Sequence, residues 1–123
     1  MYQDRKKENT MSEDLRELND ESALAELRNA EAAILYKHST RCPTSWSAKR
    51  QVERFLDLST GTPVYVIDVI QNRSLSKQIA EDLGVKHESP QAILLCSGEV
   101  KEHASHRHIT VHLLNDWVTA AGR

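Results

Sequence analysis

The chain has little of what marks secreted, membrane or nucleic-acid-binding proteins. Its 123 residues include only two cysteines, Cys42 and Cys96, and two thiols 54 positions apart make a poor disulfide framework. No apolar stretch approaches the roughly 20 residues needed to span a bilayer, and the charged residues 1–8 lack the apolar part of a signal peptide. A formal net charge of −2 argues against a nucleic-acid surface. We therefore expect a cytoplasmic protein that binds neither nucleic acid nor membrane.

The N-terminal part differs in composition from the rest of the chain. The first 11 residues are polar, charged and aperiodic, so they predict a disordered tail, and Met1 and Met11 are both candidate starts. The remaining residues, 12–123, are enough for a single domain with one core. Within it, leucines at positions 15, 18, 24 and 27 predict a helical segment that ends near Asn29, with Asp20 or Ser22 as a cap.

Buried strands alternate with helices in the first half of the domain. The apolar run 32–36 and the β-branched run 64–70 predict strands that are buried on both faces of a sheet. A helix that starts at Pro43 separates them, and a second helix follows Ser74 and ends at Gly84. Such an alternation predicts a parallel pair of strands.

The second half has a different pattern. The runs 91–95 and 99–104 predict a hairpin with its turn at Ser97 and Gly98, and a last helix follows Thr110. The predicted fold is therefore α/β: a central mixed four-stranded sheet flanked by helices, in the thioredoxin order, with an extra N-terminal helical segment.

Cys42 lies between the first strand and the helix that Pro43 begins, at the edge where α/β sheets present their ligand sites. Free N–H groups and the helix dipole favour a thiolate there, and Arg41 adds positive charge, as would a protonated His38. Ser45 replaces the second cysteine of a Cys-x-x-Cys pair, and its hydroxyl either hydrogen-bonds the thiolate or is an ordinary polar group at a helix start. The pattern predicts a one-thiol exchange site; the alternative is an inert, buried cysteine.

Three segments carry a resemblance to a known family. They are KHSTRCPTS at 37–45, the stretch from Leu75-Ser76-Lys77 to GVKHESPQ at 84–91, and HASH at 103–106 followed by Ile109-Thr110. Together they span about residues 32–120. On these motifs the chain resembles the monothiol bacilliredoxin (YtxJ-like) family of the thioredoxin-fold superfamily. That family usually has Ile where this chain has Thr44.

The resemblance implies a thiol-disulfide oxidoreductase that removes bacillithiol from client-protein mixed disulfides, with Cys42 as the attacking residue. It implies that Pro90 is a cis-proline facing the thiol, which holds the backbone of Ser89 open for a substrate segment. Thr44 and Trp46 complete the expected substrate-binding surface. We expect no bound cofactor, bacillithiol or another low-molecular-weight thiol as co-substrate, S-thiolated client proteins as partners, and a monomer.

The sequence is also compatible with two other functions. The chain could instead be a glutaredoxin-like iron–sulfur carrier or a non-catalytic thioredoxin-like binding protein. Cys96 follows an apolar run without an activating neighbour, so we expect it to be passive. Four histidines lie close together in the sequence, but their spacing matches no zinc signature and we predict no metal site: His103, His106, His108 and His112.

Overall fold

The computed structural model describes residues 14–122, which form one sheet with helices on both faces. The predicted tail at 1–11 lies outside these residues. The strands are β1 (Leu15–Glu17), β2 (Ala33–His38), β3 (Val64–Asp68), β4 (Gln91–Cys96) and β5 (Glu99–Ser105). The helices are α1 (Glu21–Asn29), α2 (Pro43–Asp57), α3 (Arg73–Leu83) and α4 (Val111–Ala121), with a 3₁₀ turn at His106–His108. Within 14–122 no helix is long and apolar enough to cross a membrane.

The sheet is mixed, as predicted, but it has five strands in the order β1-β3-β2-β4-β5. Its first three strands are parallel, and β4 and β5 run against β2. The expected count of four was wrong because residues 15–17 pair with β3 rather than continuing the helix predicted for this stretch. The N–H of Leu18 also donates to the carbonyl of Val66 over 2.8 Å, and Leu18 is fully buried. Pairing with the free edge of β3 and burial of Leu18 in the core outweigh the weak helix propensity of this segment.

The ends of the helices follow local chemistry. Asp20 caps α1 with its carboxylate, which accepts from the N–H of Ala23. Helix α3 begins at Arg73, so Ser74 lies in its first turn rather than ahead of it. The earlier start has a cause: the carboxylate of Asp68, the last residue of β3, accepts two N–H groups and turns the chain towards α3. Gly84 ends α3 in the left-handed region at φ 67°, as predicted.

The predicted hairpin is present between β4 and β5. Ser97 and Gly98 have φ of 51° and 85°, the pair of positive angles that a two-residue hairpin turn requires. The turn places Cys96 at the end of β4 that lies farthest from Pro90.

Each face of the sheet has its own apolar core. The face towards α1 and α3 buries residues that include Leu24, Leu35, Tyr65, Ile79 and Ile93. The face towards α2 and α4 buries residues that include Ile34, Val52, Phe55, Leu94 and Trp117. Because β2 lies at the centre of the sheet, all six of its side chains are buried, including the polar Lys37 and His38 at its carboxyl end.

One edge of the sheet brings the candidate site residues together. His38 at the end of β2 pairs with Asp68 at the end of β3, and Gln91 at the start of β4 pairs with Lys37. The loop that carries Cys42 and the residues before β4 therefore meet at this edge.

Candidate functional site

Cys42 is the residue that caps the N-terminus of α2. Its backbone is extended, with φ −111° and ψ 117°, and Pro43 is the first helical residue. The carbonyl of Cys42 accepts from the N–H of Ser45 over 3.0 Å and of Trp46 over 3.4 Å. The thiol is free and partly exposed, so it is accessible at the start of the helix.

The surroundings of Cys42 favour its thiolate. The pKa of the thiol lies below its ordinary value because the backbone N–H of Ser45 hydrogen-bonds it, and the Ser45 hydroxyl and the N–H and hydroxyl of Thr44 act in the same direction. Partial burial opposes this effect. Four donors at a helix start therefore stabilise the negative sulfur. Arg41 precedes the thiol in an exposed position, and its contribution to the thiolate stays a prediction.

Ser45 is fully buried, although serine at a helix start is usually solvated. Its Oγ accepts from the backbone N–H of Ser39 over 3.2 Å. A hydroxyl that accepts one hydrogen bond still has its own proton to donate, and the Ser45 hydroxyl is among the groups that lower the pKa of Cys42. The burial of Ser45 and the lowered pKa of Cys42 favour the interpretation in which its hydroxyl hydrogen-bonds the thiolate.

A buried pair beneath α2 was not predicted from the sequence. The hydroxyl of Tyr36 donates to the carbonyl of Ser45 over 2.7 Å, and Nδ1 of His38 lies 3.1 Å from the same hydroxyl. Burial, followed by the nearby charges of Cys42 and Glu53, raises the pKa of Tyr36 well above its ordinary value. Tyr36 and His38 are two residues apart on β2, so the period of the strand places them on one face, but it does not predict their burial or the contact with Ser45.

The protonation of His38 follows from these contacts. The single proton of Tyr36 goes to the Ser45 carbonyl, so Nδ1 of His38 carries the hydrogen and Nε2 carries the lone pair. The pKa of His38 is lowered by burial and by Lys49, against the opposing effect of Asp68. His38 is therefore neutral near pH 7, so the positive charge that a protonated His38 would add beside the thiol is absent at that pH.

Trp46 lies in an exposed position on the first turn of α2, the helix that Cys42 caps. Its indole N–H donates to the carbonyl of Thr40 over 3.1 Å, and its ring meets that of His38 edge-on at 4.7 Å. The amine of Lys49 lies 5.5 Å from the centre of the indole. These contacts hold the indole at the start of α2, and its role in substrate binding stays a prediction.

The residues before β4 approach the same edge from the other side. The peptide bond between Ser89 and Pro90 is cis, and the carbonyl of Pro90 accepts from the N–H of His106 over 3.0 Å. Pro90 is buried and Ser89 is partly exposed. Their predicted pairing with a substrate segment stays a prediction.

The opposite face of β2 carries a second buried polar group that the sequence analysis missed. Nζ of Lys37 lies 3.4 Å from Nδ1 of His87, and the hydroxyl of Ser76 lies 3.5 Å from the same nitrogen. Burial lowers the pKa of Lys37 to about 8. Ser76 and His87 line a cleft of about 400 Å³, and Ser39 and Ser89 line it too.

The histidines of the C-terminal part do not form a metal site among residues 14–122, where no group of three or more potential ligands is present. His106 pairs with Glu88 over 3.4 Å, and His112 pairs with Asp116 over 3.4 Å on the surface of α4. Cys96 packs against the core on the α2 and α4 side, remote in the fold from Cys42.

Comparison with known proteins identifies the family. The family model described as "Monothiol bacilliredoxin BrxC" matches residues 13–114, most of the chain. The chain belongs to the monothiol bacilliredoxin family. The resemblance seen in the sequence is thereby confirmed, and bacilliredoxin membership brings with it a thiol redox function.

Solved structures confirm the thioredoxin fold of this bacilliredoxin. A candidate oxidoreductase with a thioredoxin fold is 30% identical, has a TM-score of 0.79, and is matched over 92% of this chain and 97% of its own. A thioredoxin variant from Halobacterium salinarum is 19% identical with a TM-score of 0.72, over 89% and 92% of the two chains. Spinach chloroplast thioredoxin f (short form) is 15% identical with a TM-score of 0.69, over 89% and 95%. The last two comparisons show the fold alone.

Proposed function

We propose that this protein removes bacillithiol from mixed disulfides of client proteins, with Cys42 as nucleophile. The observation that carries the proposal is the site of Cys42: an accessible thiol at a helix start, with donors from Ser45 and Thr44 that lower its pKa. The thiolate is the nucleophile in disulfide exchange. Membership of the monothiol bacilliredoxin family supports bacillithiol as the small thiol.

The proposed cycle has two exchange steps. The Cys42 thiolate attacks the bacillithiol sulfur of the mixed disulfide, forms a new disulfide to bacillithiol, and releases the client as a thiolate. A second bacillithiol thiolate then attacks the adduct, frees Cys42 as a thiolate, and leaves as bacillithiol disulfide. In sum, the mixed disulfide and one free bacillithiol give the reduced client and bacillithiol disulfide, and Cys42 is regenerated. An external thiol is needed because Ser45 stands where a resolving cysteine would be.

Further parts of the proposal concern the setting of the reaction. We propose that the protein acts in the cytoplasm as a monomer, without a bound cofactor and without nucleic acid or membrane. Its partners are S-thiolated client proteins and the small thiol. Ser89 and Pro90, at the same edge of the sheet as Cys42, are proposed to pair with the client's backbone.

The test is the removal of bacillithiol from a purified client protein, followed by intact mass with Cys42→Ser and Cys96→Ser variants. We expect Cys42→Ser to abolish removal and Cys96→Ser to leave it nearly intact, because Cys96 lies at the far end of β4. Equal loss in both variants would contradict the one-thiol mechanism. A coloured, dimeric protein on purification would instead indicate the iron–sulfur carrier.

A further inference from the structure

The α3 cleft, which is lined by residues of α3 and by Ser39 and Ser89, begins beside the backbone of Cys42. Its volume of about 400 Å³ is within the usual range of about 300–1,000 Å³ for binding clefts. The carbonyl of Ser39 accepts from the N–H of Cys42 over 3.2 Å. Ser39 and Ser89 each lie two residues beyond the paired residues Lys37 and Gln91, at the same edge of the sheet. A client segment held at Cys42 and Ser89 would therefore lie next to this cleft.

The side chains that line the α3 cleft carry more positive than negative charge. Arg73 and Lys77 are exposed on successive turns of α3, and both line the cleft. Neither forms an ion pair with any of the residues 14–122 that the structure describes. Among the described lining residues, Glu81 is the single carboxylate. A basic cleft of this kind raises the local concentration of anionic groups.

A third cation lies behind one of the lining residues. The amine of Lys37 is fully buried and lies 3.4 Å from Nδ1 of His87, which is exposed and lines the α3 cleft. Within the described part of the chain, no carboxylate forms an ion pair with this amine. Its charge acts on the lining residue, since burial and then Lys37 lower the pKa of His87. Because buried charges are screened less than exposed ones, Lys37 adds to the positive potential of the cleft.

Apolar side chains also line the α3 cleft. They are Val69, which is buried, and Ile70 and Ala80, which are partly exposed. Apolar groups together with exposed basic groups favour an anion whose charge stands at the end of an aliphatic stem, because the stem covers apolar surface while the charge stays near the cations. Among protein side chains, glutamate has this form.

We propose that the α3 cleft binds a glutamate side chain of the client protein, at a position within about three residues of the S-thiolated cysteine. Successive residues of an extended segment are about 3.3 Å apart, so this glutamate lies about 10 Å or less from the client cysteine along the segment. Arg73 and Lys77 attract its carboxylate. The proposal rests on the exchange function proposed above and specifies the class of client: proteins with an acidic residue close to the modified cysteine.

The test measures kcat/KM for the removal of bacillithiol from a series of peptides. Each peptide carries one S-thiolated cysteine and a single glutamate at one position up to three residues before or after it, and a second series has glutamine at the same positions. We expect glutamate to raise kcat/KM over glutamine by about two- to fivefold at one or two positions, the size of an exposed ion pair. High salt should remove this difference, because it screens such pairs.

The wild-type result separates this proposal from the general function. Equal kcat/KM for the glutamate and glutamine peptides at every position would overturn the glutamate site and leave exchange itself intact. Failure to remove bacillithiol from any peptide would overturn the proposed function instead.

Reversal of charge in the α3 cleft tests the assignment of the site. In the double variant Arg73→Glu, Lys77→Glu, the preferred position should favour lysine over glutamate, the reverse of wild type. The matched control is Arg54→Glu, Lys101→Glu, which makes the same change of charge at exposed positions on α2 and β5 and should keep the wild-type preference. An unchanged preference in the first variant, or the same reversal in the control, would overturn the proposal.

A last measurement distinguishes the client from the small thiol as the occupant of the α3 cleft. Discharge of the bacillithiol adduct on Cys42 by free bacillithiol involves no client. We expect the two double variants to discharge this adduct at similar rates. A much slower discharge in Arg73→Glu, Lys77→Glu than in the control would mean that the cleft binds the small thiol, and the proposal would be wrong.

Discussion

Replacing the buried Lys37 by methionine should stabilise the protein at neutral pH. The side chain is fully buried in β2 and its amine contacts His87. Burial lowers the pKa of this amine from the ordinary 10.5 to about 8. At about 1.4 kcal/mol per unit, the charged amine costs the folded state about 3 kcal/mol. Losing the contact with His87 offsets about 1 kcal/mol of this difference. The free energy of unfolding of Lys37→Met should therefore exceed that of wild type by about 2 kcal/mol.

The stability difference between Lys37→Met and wild type should depend on pH in a defined direction. Below about pH 8 the amine of Lys37 is protonated in both the folded and the unfolded chain, and the whole penalty is present. Between about pH 8 and 10.5 the unfolded chain binds the proton that the folded chain has lost, so wild-type stability rises with pH. The advantage of Lys37→Met should therefore be largest below pH 8 and shrink towards pH 10.5.

Urea unfolding of the reduced proteins between pH 6 and 10.5 measures this difference directly. Subtracting wild type from Lys37→Met removes the titration of the groups that Lys37 does not influence; His87, whose pKa Lys37 helps to lower, is the exception. Lys77→Met is the matched control, because Lys77 lines the same cleft but is exposed, and it should change stability by less than about 0.5 kcal/mol. A Lys37→Met protein less stable than wild type at pH 7, or a difference that does not vary with pH, would refute the reasoning.

Three further predictions concern the site. Ser45→Ala should raise the midpoint pH of Cys42 alkylation, because a donor to the thiolate is lost. Arg41→Gln should raise this midpoint less, and Ser47→Ala, at an exposed position, should leave it unchanged. The reverse ranking would refute the role of Ser45 as a donor to the thiolate. Ser45→Cys should form an internal disulfide and shorten the life of the Cys42 adduct, which intact mass over time follows, because an internal thiol has a high effective concentration. Tyr36→Phe should cost about 1–3 kcal/mol of unfolding free energy, measured in urea, because the Ser45 carbonyl loses its buried donor; an unchanged midpoint would contradict the bond.

The position of the thiol could be predicted without coordinates. The apolar run before it, Pro43 after it and the helical spacing that follows place Cys42 at the start of a helix, and the structure has it there. These features are local, since each depends on residues that are neighbours in sequence. The hairpin turn at Ser97 and Gly98 and the end of α3 at Gly84 were predictable for the same reason.

The strand at Leu15–Glu17 and the buried polar groups of β2 could not be predicted in this way. Residues 15–17 are helix-prone in isolation and became a strand because β3 offered them a free edge. In the sequence, Lys37 and His38 are polar residues at the end of a predicted strand. Whether each is solvated depends on the helices packed over β2. Their partners, His87 and Tyr36, are fixed by the packing of the sheet. The hydrophobic pattern thus sets the order of the elements and the place of the thiol, whereas the surroundings of the site depend on contacts between residues far apart in the chain.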